Sequence, residues 1–132
     1  MGKLYKCRYL IIMAYDEFLA DRARQILRHK SIAFEEKKMM GGLCFMVDGK
    51  MCFGMHIDKN TDSPLFMARV GIDQYEKALT KPYCSEMNFT GRSMRGYVFV
   101  SAEGLDSDKD LELWIQMCLD FNPMAKSSKK RK

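Results

Sequence analysis

The dipeptide Asp48-Gly49 constrains this chain more than any other feature, because it stands between two apolar runs of strand length, residues 43–47 and 50–57. Both central residues of a tight hairpin turn need positive φ, which glycine adopts freely and aspartate tolerates. A two-residue turn also sets the register, so that Val47 faces Lys50, Met46 faces Met51, and so on outward. Side chains alternate along each strand, which places Cys44, Met46, Met51, Phe53, Met55 and Ile57 on one apolar face. The opposite face holds Leu43, Phe45, Val47, Lys50, Cys52, Gly54 and His56 and is mixed. The apolar face is expected to meet helices. The mixed face, through Phe45, Cys52 and His56, is expected to take a protein partner.

Helical periodicity flanks this hairpin. Phe18, Leu19, Ala23, Ile26 and Leu27 recur at helical spacing from Tyr15 or Asp16 onward, and Leu111, Trp114, Ile115, Cys118 and Phe121 track one stripe of a terminal helix over 106–121. Residues 32–38 suit an edge strand, residues 65–70 a further strand, and residues 71–80 a short helix with Ile72, Tyr75 and Leu79 turned inward. Residues 83–96 read as a loop and 97–100 as a short strand. The order α-β-β-β-β-α-β-α predicts a single α+β domain, a curved antiparallel sheet packed against N-terminal and C-terminal helices.

The 132 residues suffice for one domain and a core of its own. A formal charge of +5 suggests a polyanionic partner until it is located: Lys126, Lys129, Lys130, Arg131 and Lys132 supply all of it, and the body is neutral. The tail, residues 123–132, is expected to be disordered, with weak salt-sensitive contact to nucleic acid as its plainest use. No helix-turn-helix or zinc-finger spacing accompanies it, which argues against sequence-specific DNA recognition. Five cysteines with no CxxC pair and no secretory signal fit reduced thiols in a cytoplasm. No apolar run approaches the length of a bilayer span.

Several spaced motifs carry a resemblance: Met39-x-Gly41-Gly42, Gly49-Lys50-Met51, Met67-Ala68-Arg69-Val70-Gly71, and Phe89-Thr90-Gly91-Arg92-x-Met94-Arg95-Gly96-Tyr97-Val98. Between about Met13 and Phe121 the chain resembles the N-terminal domain of the competence regulator TfoX. That resemblance implies a small α+β domain with a central antiparallel sheet and a link to transcriptional control of DNA uptake. It transfers no catalytic residue. Met13-Ala14-Tyr15-Asp16-Glu17 also looks like the start common in that family, so residues 1–12 are expected to be an extension and 13–122 the domain.

Function is therefore expected from contacts and not from chemistry. No nucleophile, base and stabiliser can be assembled from spacing, no cofactor motif is present, and Gly49-Lys50 followed by Met51 is not a phosphate-binding loop. The leading expectation is a regulatory protein-interaction domain with a protein partner or a second copy of itself. The alternative is a small-anion or weak nucleic-acid module built on Lys50, Arg69, Arg92 and Arg95, where neighbouring glycines bare the backbone and arginine forks suit phosphate or carboxylate.

Overall fold

The computed structural model describes residues 15–39, 41–88 and 93–126. Its first helix, α1 (Glu17–His29), begins where the Asp16 carboxylate accepts the amide protons of Phe18 (2.9 Å) and Leu19 (3.3 Å). Leu19, Ala20, Ala23 and Leu27 fall on its buried face. Six strands follow among the described residues: β1 (Glu35–Met39), β2 (Gly42–Val47), β3 (Lys50–Ile57), β4 (Pro64–Arg69), β5 (Cys84–Asn88) and β6 (Ser93–Ser101). A short helix, α2 (Ile72–Leu79), connects β4 to β5. A 3-10 turn (Ala102–Leu105) leads into α3 (Asp108–Phe121), capped by the Ser107 hydroxyl accepting from the Asp110 amide at 3.0 Å.

All strand pairs are antiparallel, in the order β1-β2-β3-β4-β6-β5. The sheet is therefore open, with β1 and β5 as separate edges. The curved sheet expected from the sequence is corrected to this open, uncurled one. It also has one strand more than expected, because β5 lies within the stretch read as a loop.

Asp48 and Gly49 make the expected turn, with φ of 59° and 75°. The register beyond it differs from a plain two-residue hairpin. Val47 faces Lys50 and Met46 faces Met51, but Phe45 then faces Phe53, leaving Cys52 with no opposite number on β2. This bulge reverses the facing of every residue past it. Leu43, Phe45, Cys52, Phe53 and Met55 join Phe66, Val98 and the helices in the main core, while Cys44, Met46 and Met51 fall on the other face with Met67, Met87, Met94, Tyr97 and Phe99. The expected assignment of the hairpin's faces is thus corrected: Phe53 and Met55 do meet the helices, but Cys44, Met46 and Met51 do not.

Phe45, Phe53 and Phe66 stack across β2, β3 and β4 with centroids 4.7 and 5.1 Å apart. Each such ring pair adds about 0.5–1.5 kcal/mol beyond area burial. All three helices bury their apolar stripes against this face, Trp114 among them with its ring edge-on to Tyr83. Ile72 is the exception in α2: it is exposed, and Ala78 takes the inward place beside Tyr75.

Of the tail expected over 123–132, residues 123–126 are described and are ordered against the body. Asn122–Met124 forms a 3-10 turn, Ala125 is buried, and the Lys126 carbonyl accepts from Arg69. The expected extension at 1–12 and residues 127–132 lie outside the described residues.

Candidate functional site

Lys50 opens β3, Arg69 closes β4 and Arg95 lies near the start of β6, so the antiparallel order brings all three to one end of the sheet. Lys126 arrives at the same end. None of the three lines the cavities that adjoin α1, α2 and α3. Arg92 lies outside the described residues.

Arg69 acts as a clip. One terminal nitrogen donates to the Met51 carbonyl (3.1 Å) and the other to the Lys126 carbonyl (3.3 Å), while the guanidinium lies over the rings of Tyr97 and Phe121 at 5.3 and 5.8 Å. Arg95 is different. Its side chain is 61% exposed, lies over the Tyr75 ring at 5.2 Å and stands 3.9 Å from the Glu76 carboxylate.

The expected partner-binding trio divides. Phe45 and Cys52 are buried in the main core, so neither can meet a partner, and the bulge is the reason. His56 stays on the second face, half-buried, with its ring edge-on to Phe99 at 5.3 Å. Burial lowers its pKa, partly offset by Asp58.

Burial also governs the thiols. Cys52 is pushed up to about 12 and Cys84 to about 11, Cys44 and Cys118 are raised as well, and desolvation leads in each case. A thiol of this kind stays protonated at neutral pH and is a poor nucleophile. Among the described residues, no group of three or more His, Cys, Asp or Glu is placed to hold a metal. No described helix is long and apolar enough to cross a membrane.

A groove between α2 and α3 is the feature that sequence reasoning missed. A cavity of about 490 Å³ is lined by Val70, Ile72, Phe121 and Met124, among others, and a neighbouring one of about 340 Å³ by Ala78, Tyr83, Leu113 and Trp114. Gln74 and Met117 line both, so the two form one continuous trough. Ile72 (53% exposed), Leu113 (59%) and Met124 (68%) stand along it, three of the five large hydrophobic side chains exposed among the described residues. Asp73 and Asp120 charge one end; Lys77 and Lys81 stand at the other, near Asp110. A signal was available in the sequence: Leu113 falls off the Leu111-Trp114-Ile115-Cys118 stripe, on a face that ought to be polar.

The family model described as the TfoX N-terminal domain matches residues 29–122. The chain belongs to the TfoX N-terminal domain family. The match takes in the six described strands, α2 and α3, and so covers the sheet and Arg69, while Met124 of the groove and Lys126 of the clip lie just past its end. No curated protein and no solved structure matches the chain.

Proposed function

We propose that this TfoX-family domain is a non-catalytic, cytoplasmic protein-interaction module with a regulatory role in transcription or competence, and that the groove between α2 and α3 receives its partner. The observation that carries this is the grouping of Ile72, Leu113 and Met124 along one trough. Covering what remains exposed of each side chain is worth about 1–2 kcal/mol, enough for three of them to anchor a complex. The charges at the ends suit an apolar partner segment with a basic residue toward Asp73 and Asp120 and an acidic one toward Lys77 and Lys81. Leu113→Glu and Met124→Glu place carboxylates in the trough at positions that carry no core packing. Both variants should fold as the parent does and lose the partner that the parent retains in pull-downs from its own cell. A partner retained equally by parent and variants would remove the groove from this role.

A second function, weak contact with small anions or nucleic acid, is favoured by one observation: Lys50, Arg95 and Lys126 gather at one end of the sheet, with Arg69 between them and Arg92 as the remaining candidate. Such binding is electrostatic and falls steeply with salt. Titration of a single-stranded oligonucleotide should show a salt slope that becomes shallower in Lys50→Glu and Arg95→Glu. An affinity independent of salt, or unchanged in both variants, would exclude it.

A further inference from the structure

The edge strand β1 reads Glu35-Glu36-Lys37-Lys38-Met39, and all five residues are exposed. Its inner side pairs with β2, and among the described residues its outer side is an edge of the sheet. Charges on an edge strand commonly serve to keep other strands away. Here the two acids precede the two bases, and that order has a geometric consequence for a second copy of the same chain.

Two identical strands pair antiparallel about a two-fold axis perpendicular to the sheet. Residues opposite each other then lie on the same face, so an acid must meet a base two positions away and not its neighbour in sequence. Glu36 faces Phe45 on the helix side, where both its oxygens accept from Arg24, at 2.7 and 3.0 Å. Lys37 faces Cys44 on the other side. Glu35 therefore shares its face with Lys37. With the axis at Glu36, Glu35 of each copy stands opposite Lys37 of the other, giving two opposite-charge pairs. The two Glu36 side chains that meet at the axis each already carry an arginine. With the axis at Lys37, Glu36 would stand opposite Lys38, but both Glu36 oxygens are already taken by Arg24 and two ammonium groups would meet at the axis with no counter-charge.

We propose that β1 pairs with β1 of a second copy about an axis at Glu36, joining two six-stranded sheets into one. The union is a β-augmentation in which main-chain hydrogen bonds hold the edges together and the Glu35–Lys37 pairs choose the partner. It fits the chain's own copy better than an unrelated edge, because the same segment supplies both halves of each charge pair. This interface is separate from the groove between α2 and α3, which a dimer leaves open.

A charge-swap cycle tests it by sedimentation velocity of the full chain over a concentration series at low salt. Glu35→Lys and Lys37→Glu each turn two attractive pairs into repulsive ones and should weaken dimerisation about tenfold. The double variant Glu35→Lys/Lys37→Glu restores opposite charges and should return to within about threefold of the parent. Both positions are exposed, so circular dichroism should show the parental fold throughout. A parent chain that remains monomeric to about 1 mM overturns the proposal, as does a dimer that Glu35→Lys leaves unchanged or that the double variant fails to restore. Leu113→Glu should not alter the dimer, so loss of the groove partner and loss of the dimer are distinguishable.

Discussion

The guanidinium of Arg69 donates to the Met51 carbonyl at 3.1 Å, which ties the end of β4 to the start of β3, and its second nitrogen holds the Lys126 carbonyl at 3.3 Å. One residue thus fixes both the sheet's end and the chain that leaves α3. A ligand at Arg69 would have to displace these contacts, which makes the residue structural before it is anything else.

Arg69→Ala should therefore lower stability by about 2–3 kcal/mol, since charge-assisted hydrogen bonds to carbonyls are among the stronger ones. In thermal unfolding this is a fall of roughly 8–15 °C in Tm. Arg69→Lys keeps the charge but not the fork, so it should recover less than half of the loss. Limited trypsin digestion should also cut after Lys126 faster in the alanine variant.

Gly71 precedes α2 with φ of 87°, and a side chain there would run into the Phe121 ring. Gly71→Ala combines a strained backbone with an overpacked contact between α2 and α3. A loss of about 2–4 kcal/mol is expected in urea unfolding.

Much of this architecture was legible in the sequence, and the failures share a cause. Asp48-Gly49 marked the hairpin because turn chemistry is local. The bulge at Cys52 was not marked, because one extra residue changes the facing of a strand without changing its composition. A plain two-residue register therefore makes Phe45 and Cys52 surface residues, and they are core. β5 was missed because Ser85, Glu86 and Asn88 surround Met87, and its strand character comes from pairing with β6. Of the groove only Leu113 leaves a trace in the sequence, because Ile72, Leu113 and Met124 come from separate segments and packing brings them together. The sequence offers Lys50, Arg69 and Arg95 as candidate anion contacts, but no local pattern shows that backbone carbonyls occupy Arg69.

The buried titrating groups predict a stability profile. Cys52 holds its proton to about 12 when folded, against an ordinary value of 9.0, so its neutral form is favoured in the native state. That contribution is complete below pH 9.0 and is lost as pH rises toward 12, with Cys44 and Cys118 acting in the same direction. His56 acts at the other end. Its folded pKa lies below 6.5, so stability should fall as pH drops from 6.5 through the folded value. Urea midpoints across pH should show both declines. His56→Phe should flatten the acid limb and Cys52→Ser should reduce the alkaline one.

The groove is tested most directly by site-specific photo-crosslinking in the cell of origin, with a photoreactive phenylalanine analogue at Leu113 or, as the control, at exposed Lys59. A partner seated between α2 and α3 predicts a discrete adduct of constant mass from position 113 and none from position 59. Adducts from both positions alike, or from neither, would contradict a partner bound in that groove.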